Sequence, residues 1–124
     1  MATWSKDELA KIGGAEELQI SSLHDDGVLG SPRTIWVVRH GDDLYVRSVN
    51  GRTSAWFRGV QQLHRGHIRA GGVESDVDLL EMGNDMNAEL DAAYADKYHR
   101  HAQSIIDHIT GGEAQSATLQ LVPR

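Results

Sequence analysis

The sequence predicts a single α+β domain, spanning residues 1–124, built on a small barrel or rolled antiparallel sheet. A chain of this length fits one domain and is long enough to enclose one hydrophobic core. Short β-branched and aromatic runs alternate with turn residues along most of it. The helical patterns lie near the two ends and once in between, so the ~30-residue βαβ rhythm of a parallel sheet is missing.

The first predicted element is a short N-terminal helix. Ser5 and Glu8 have the spacing of a capping box, in which each side chain accepts a hydrogen bond from the backbone N–H of the other residue. Trp4 and Leu9 occupy the two positions of a hydrophobic staple around that cap. We therefore interpret Trp4 as a structural residue of the helix start rather than as a ligand-binding residue.

About six short strands are predicted by alternating apolar residues bounded by turns. The second and third form the strongest hairpin, because a tight turn at residues 40–43 joins two β-branched runs. In the third strand, Arg47 lies on a mixed face beside Tyr45 and Val49. The predicted strands are residues 17–23, 33–39, 44–49, 66–71, 76–82 and 117–122.

Two further helices follow from capping and periodicity. Ser54 is a plausible cap for a short helix that extends to Leu63. Residues 86–110 carry apolar side chains at three- and four-residue spacing, which predicts a long C-terminal helix. Asn84 and Asp85 are its expected cap, and a glycine pair at residues 111–112 ends it.

Composition excludes several classes of function. Twelve Lys and Arg residues stand against eighteen Asp and Glu residues, a net charge of -6, which argues against a nucleic-acid binder. The absence of cysteine excludes disulfides, a thiolate nucleophile and cysteine-based metal sites. Neither a secretion signal nor about 18 consecutive apolar residues is found, so we expect a cytoplasmic protein without a membrane partner.

Arginines are concentrated around the strongest hairpin and the segment that leaves it. A guanidinium group offers a planar donor fork that matches phosphate and carboxylate. The start of the helix after Ser54 adds backbone N–H groups, and Trp56 would stack on a planar ring. The alternative interpretation is that the arginines pair with surface carboxylates. They are Arg39, Arg47, Arg52 and Arg58.

Other chemistry is less well supported by the sequence. His64 and His67 are close enough to chelate but the spacing is unspecific, so no metal site is predicted. No nucleophile elbow is present. On the predicted long helix, Asp91, Lys97 and Tyr98 would supply an acid, an ammonium and a phenol.

Several segments carry a resemblance to known proteins. They include Thr-Ile-Trp-Val-Val-Arg at residues 34–39, Leu-Tyr-Val-Arg-Ser at 44–48, Trp-Phe-Arg-Gly at 56–59 and Ile-Arg-Ala-Gly-Gly-Val at 68–73. Together they resemble the bacterial domain-of-unknown-function family numbered 2255 over nearly the whole chain. More distantly, they resemble the split-barrel flavin and deazaflavin proteins, including the deazaflavin-dependent nitroreductases. That resemblance implies a split-barrel-like antiparallel sheet.

The split-barrel resemblance also implies a cofactor, FMN or the deazaflavin F420, bound near the hairpin exit. Where such nitroreductases have Gly-Arg-Lys-Ser-Gly before the hairpin, this chain has Gly-Ser-Pro-Arg at residues 30–33. The positions carried over by the resemblance are Arg47, Ser48, Asn50, Gly51, Arg52, Trp56 and Arg58.

The leading functional hypothesis is a flavin- or deazaflavin-dependent oxidoreductase. Its pocket would lie between the hairpin of residues 33–49, the Trp56 helix and the C-terminal helix, with Arg39 and the positions above binding the cofactor. Lys97 and Tyr98 are the candidate catalytic residues. Two alternatives remain open: a non-catalytic binding module for a small molecule in the same pocket, and a cofactor-free acid–base enzyme using Lys97, Tyr98 or Asp91. Both a monomer and a homodimer are compatible with the sequence.

Overall fold

The computed structural model describes residues 3–82 and 86–124, which form an α+β fold with seven strands and five α-helices. The strands are β1 (Leu18–Ser22), β2 (Arg33–Ile35), β3 (Val37–His40), β4 (Asp43–Arg47), β5 (Arg65–Ala70), β6 (Val73–Glu81) and β7 (Thr118–Pro123). The helices are α1 (Lys6–Gly13), α2 (Ala55–Leu63), α3 (Asn87–Lys97), α4 (Gln103–Ile109) and α5 (Gly112–Gln115), and a 3-10 turn spans Gly51–Thr53.

All seven strands belong to one antiparallel sheet in the order β2-β1-β5-β6-β7-β4-β3. The sheet rolls into a near-barrel, which confirms the predicted fold class. The last strand, β7, lies between β6 and β4 and so joins the two halves of the sheet. β4 is followed by the 3-10 turn and then by α2.

Apolar side chains pack on both faces of the sheet at β3 and β4. Val37 belongs to the main core inside the roll, whereas its neighbour Val38 belongs to a second cluster under the C-terminal helices. Successive residues of a strand point to opposite faces, so the pair serves both clusters. Tyr45, Leu90 and Tyr94 complete the helix-facing cluster and attach α3 to the sheet.

The predicted N-terminal capping box is confirmed. Ser5 Oγ accepts a hydrogen bond from the Glu8 N–H at 3.1 Å, and Glu8 Oε1 accepts one from the Ser5 N–H at 2.9 Å. Trp4 is buried with Leu9 in the main core, and its indole N–H donates to the Leu121 carbonyl at 2.9 Å. Trp4 is therefore the structural residue that the staple spacing predicted.

The predicted strand at residues 33–39 is divided at Trp36. Residues before Trp36 form β2, which pairs with β1, while residues after it form β3, which pairs with β4. Because β1 and β4 lie in different halves of the sheet, the chain has to bend between them. The β-branched pattern continues through the bend and gives no local sign of it.

The predicted long helix is divided as well. Residues 98–102 are not helical, and the C-terminal helical segment consists of α3, α4 and the short α5. At the break, the Tyr98 hydroxyl donates to the Glu16 carbonyl at 2.8 Å, and His101 Nε2 lies 2.6 Å from Glu16 Oε1. These contacts attach the break to the segment before β1. The predicted cap at Asn84 and Asp85 lies outside the described residues.

The β5–β6 connection is shorter than predicted. We expected a loop through residue 75, but a tight turn at Gly71 and Gly72 already starts β6 at Val73. Val73, Ser75 and Val77 share the inner face of that strand, and the polar Ser75 interrupts the apolar alternation from which its start was predicted. Among the described residues, no helix is long and apolar enough to cross a membrane.

Candidate functional site

A groove of about 320 Å³ lies where β2, the exit of β4, the start of α2 and α4 meet. This is the position expected from the sequence, between the hairpin, the Trp56 helix and the C-terminal helical segment. Its volume is at the lower end of the range of about 300–1,000 Å³ that small-molecule sites occupy. The lining residues are Arg33, Thr34, Ile35, Trp36, Ser48, Val49, Asn50, Ser54, Trp56 and Ile105.

Aromatic and apolar side chains form much of the groove wall. Trp36 comes from the bend between β2 and β3, and Trp56 comes from the first turn of α2. Both indole rings are partly buried, while Ile105 of α4 is 45% exposed. The groove therefore offers two aromatic side chains and an accessible aliphatic one to a planar ligand.

The polar end of the groove is built around the start of α2. The Ser54 hydroxyl lies 2.7 Å from the Ser48 hydroxyl and makes no capping bond to the first turn of the helix. The N–H groups of that turn therefore receive no cap from Ser54, and they give this end of the helix a partial positive charge. Gly51, with φ of 80°, shapes the preceding turn and its N–H donates to the Ser48 carbonyl at 3.0 Å, but Gly51 does not line the groove.

Arg33 is the cation that lines the groove in the described part of the chain. It stands at the start of β2 on the surface, and no carboxylate within residues 3–82 and 86–124 pairs with its guanidinium. Arg33 is not among the arginines predicted from the sequence to bind a ligand, although its position within the hairpin segment was a usable indication. A guanidinium that lines the same groove as a helix start is suited to an anionic group.

Arg47 is not exposed to the groove. Its side chain is fully buried, with one guanidinium nitrogen 2.5 Å from Asp91 Oδ1 and 3.1 Å from the Ile109 carbonyl. Its Nε donates to Thr118 Oγ1 at 3.1 Å, and the guanidinium carbon lies 5.4 Å from the centre of the Tyr94 ring. Arg47 therefore connects β4 to α3, the end of α4 and β7 rather than joining a cluster of arginines at the surface.

The other three selected arginines also lie away from the groove lining. Arg39 Nε donates to the Gly41 carbonyl at 2.8 Å, and Arg58 is exposed on α2. Arg52 bonds Glu81 Oε1 at 2.8 Å, so it follows the alternative interpretation of pairing with a surface carboxylate. Burial alone would raise the pKa of Glu81, but the hydrogen bonds from Arg52 and His64 outweigh it and lower that pKa.

Lys97 and Tyr98 lie behind the groove wall and not in its lining. The Tyr98 ring stacks on the Trp36 ring, with centroids 3.8 Å apart and planes 2° from parallel. Lys97 Nζ donates to the Val37 carbonyl at 2.5 Å. Burial raises the pKa of Tyr98 and lowers the pKa of Lys97 to about 8. Trp36 is thus shared between the groove and this cluster.

The lowered pKa of Lys97 predicts a specific pH dependence of stability. The ordinary pKa of lysine is 10.5. Between pH 8 and pH 10.5, Lys97 therefore carries a proton in the unfolded chain that it has released in the folded chain. The free energy of unfolding contributed by Lys97 should therefore rise with pH across this window. Urea denaturation from pH 7.5 to 10 checks this, with Lys97→Met expected to lack the rise. An identical profile in the variant would contradict the assignment.

His64 and His67, which are close in the sequence, contact different carboxylates. His64 Nε2 lies 3.3 Å from Glu81 Oε2, whereas His67 lies 3.0 Å from Asp76 and 3.2 Å from Glu74. The hydrogen bond that His67 donates to Asp76, more than any other contact, raises the pKa of His67. Within the described residues, no group of three or more histidine or carboxylate side chains is arranged to hold a metal ion.

The rolled antiparallel sheet and the groove at the exit of its hairpin define the class of the protein: it is a split barrel. The chain belongs to the family described as "Uncharacterized protein conserved in bacteria (DUF2255)", whose model matches residues 8–121. No curated protein sequence matches the chain.

Solved structures with the same fold are distant in sequence. An F420 reductase matches with a TM-score of 0.68 at 8% identity, covering 98% of this chain and 96% of its own. The heme storage protein HutZ from Vibrio cholerae has a TM-score of 0.68 at 12% identity, with coverage of 96% and 89%. A FAD-binding protein from Mesorhizobium loti has a TM-score of 0.56 at 16% identity, with coverage of 98% and 91%.

Proposed function

We propose that the protein is an oxidoreductase that binds a flavin or deazaflavin cofactor, FMN or F420, in the groove. The observation that carries the proposal is the composition of the groove. It joins two indole rings to the unpaired guanidinium of Arg33 and to the uncapped start of α2. The names of an F420 reductase and a FAD-binding protein among structures of the same fold support the choice of cofactor class.

The groove residues fit the chemistry of such a cofactor. Arg33 and the first-turn N–H groups of α2 would bind a phosphate, since both are donors in the groove, while the buried Ser48 hydroxyl shares a hydrogen bond with Ser54. Trp36 and Trp56 would contact the ring system. When bound, the cofactor supplies hydride or electron transfer, and the protein supplies binding and orientation.

The lining also argues against an acid–base enzyme that works without a cofactor. Among the described residues, no Asp, Glu, His, Lys or Tyr side chain lines the groove. Lys97 and Tyr98 donate to backbone carbonyls behind Trp36, and Asp91 is paired with Arg47. A group that donates and accepts a substrate proton has to reach it directly or through one water. These three residues are therefore engaged in structural contacts instead.

Titration of the protein with FMN, FAD and F420 tests the proposal. Binding is measured by calorimetry and by tryptophan fluorescence. We expect one cofactor to bind and Trp56→Ala to weaken its binding about tenfold, because a stacking surface is lost. Arg33→Gln should weaken it by roughly fivefold or more through loss of a charge-assisted hydrogen bond. Arg58→Gln is the matched control on α2 and should change affinity less than about twofold.

The same variants distinguish two hypotheses for the cation that binds the cofactor: Arg33, which lines the groove, and the arginines predicted from the sequence, which include Arg58. A larger loss in Arg58→Gln than in Arg33→Gln would contradict the assignment of the groove. Absence of binding for all three cofactors would contradict the cofactor class. Binding without turnover of a reduced nicotinamide or of a cofactor-linked electron acceptor would instead identify the non-catalytic binding module.

A further inference from the structure

Trp36 lies at the seam of the near-barrel. β2 and β3 are at opposite ends of the sheet, and Trp36 is the one residue that separates them in the chain. Its side chain lines the groove and also packs against the cluster under the C-terminal helices. The position of the indole ring is therefore decided by contacts on two sides, and the proposed function uses only the groove side.

One face of this indole is covered by protein. The Tyr98 ring is parallel to it within 2°, with centroids 3.8 Å apart. The His101 ring is 4.7 Å from Trp36 and 5.7 Å from Tyr98, which places it nearly at a right angle to the stack, at the edge of the indole. Neither ring covers the second face. Because Tyr98 does not line the groove, the second face is the one that a ligand in the groove can reach.

Tyr98 is itself held in place at its far end. The side chain is buried, and its hydroxyl donates to the Glu16 carbonyl at 2.8 Å and accepts from the Val37 N–H at 3.3 Å. Glu16 precedes β1, and Val37 follows Trp36 in the chain. The ring cannot turn away from Trp36 without breaking these bonds, so it is a rigid support for the indole.

Trp56, the other indole of the groove, lacks such a support. Its ring meets the Phe57 ring edge to face, with centroids 5.9 Å apart and planes at 76°. In the described part of the chain, no ring stacks face to face on it. Its rotamer is therefore less constrained than that of Trp36. A binding surface that is already held in its bound geometry loses less side-chain entropy when a ligand arrives.

We infer that Tyr98 is a positioning residue of the groove: its stack on Trp36 holds the free face of that indole ready for a flat conjugated ring. The ligand class is a flat ring that carries an anionic group, with the ring on Trp36 and the anion near Arg33. A flat ring gains stacking energy that a puckered ring of the same size lacks. The inference rests on the proposed function for the place of the ligand, but not for the identity of the cofactor.

Two phosphate esters with the same carbon skeleton measure this selection. They are 2-naphthyl phosphate, which is flat, and decahydro-2-naphthyl phosphate, which is puckered. We expect calorimetry to give a preference of about fivefold for the flat ester in the unmodified protein, because only its ring can stack. The anionic group is common to both esters, so it cancels in the ratio of their affinities.

Variants of Tyr98 connect the preference to the stack. Tyr98→Leu removes the ring and should reduce the preference to less than about twofold, whereas Tyr98→Phe keeps the ring and should retain it. Leu90→Ala is the control for general loss of packing, because Leu90 belongs to the same helix-facing cluster but has no ring to stack. It should keep the preference. A merely structural role of Tyr98 would change the affinity for both esters by the same factor.

NMR of the unliganded protein tests the same point without a variant, which covers the case that Tyr98→Leu does not fold. The order parameter of the Trp36 indole N–H should be near the value of about 0.85 that is typical of rigid backbone, and that of Trp56 should be lower. The flat ester should then shift the indole resonance of Trp36 and leave that of Trp4, which is bonded to the Leu121 carbonyl in the core.

Four outcomes would overturn the inference: no binding of either ester, equal affinity for both, a preference that persists in Tyr98→Leu, and a Trp36 indole as mobile as that of Trp56. The proposed function fails separately. Binding of FMN together with a preference that survives in Tyr98→Leu would keep the proposed function and reject the inference. A preference that depends on Tyr98, without binding of FMN, FAD or F420, would reject the cofactor class and keep the inference.

Discussion

Replacing Arg47 with alanine is expected to lower the free energy of unfolding by about 3–5 kcal/mol, the usual cost of removing one partner from a buried ion pair. The Arg47 side chain is fully buried and donates to Asp91, Thr118 and the Ile109 carbonyl. Alanine would leave these acceptors without their donor and would open a cavity under α3. Both effects act in the same direction, so the loss should exceed that of an ordinary surface charge.

Equilibrium urea denaturation measures this loss, with Arg39→Ala as the matched control. Arg39 is exposed and donates to a carbonyl of its own turn, so its replacement should change stability by less than about 0.5 kcal/mol. A double-mutant cycle with Asp91→Ala then isolates the coupling between the two groups. Equal effects of Arg47→Ala and Arg39→Ala would show that the Arg47 network does not exist in solution.

The features predicted correctly from the sequence are those whose partners are neighbours in the chain. Ser5 and Glu8 are three residues apart, and their reciprocal hydrogen bonds formed as expected. The tight turn between β3 and β4 lies within a few residues of both strands that it joins. Local chemistry of this kind is visible in a short stretch of sequence because no other part of the fold has to be known.

Arg47 shows why the candidate site was harder to predict. Its position in β4, beside Tyr45, indicated a mixed face, but Asp91 lies 44 residues further along the chain. Nothing in the local pattern distinguishes an arginine that faces a ligand from one that faces a carboxylate on a distant helix. The bend at Trp36 is also imposed by distant parts of the chain. It arises because β2 pairs with β1 whereas β3 pairs with β4, in different halves of the sheet.

The groove depends both on local features of the sequence and on contacts between distant parts of the chain. It lies between the hairpin and the following helix, and Ser48, Asn50 and Trp56 are among its lining residues. Arg33, the cation that lines the groove, was not predicted, because the arginines selected from the sequence lie outside the groove lining. Turn and capping residues fix where a pocket forms, whereas the pairing of long charged side chains depends on the whole surface. The role of each lining residue in cofactor binding stays a prediction.

The β5–β6 turn provides the second large expected effect, through two adjacent glycines in different surroundings. Both have positive φ, 58° at Gly71 and 84° at Gly72, where an L side chain costs about 1–2 kcal/mol. A Cβ on Gly72 would meet nothing within 4 Å, but a Cβ on Gly71 would overlap the Lys11 carbonyl oxygen. That oxygen belongs to the backbone of α1, so it cannot move without moving the helix.

We therefore expect Gly72→Ala to destabilise the fold by about 1–2 kcal/mol and Gly71→Ala by roughly 2–5 kcal/mol, since overpacking adds to the backbone strain. Thermal and urea denaturation of the two variants, compared with the unmodified protein, measure the difference. Because the backbone cost is common to both, the excess in Gly71→Ala reports how tightly α1 is held against this turn. Equal losses would mean that α1 can withdraw from the sheet at little cost.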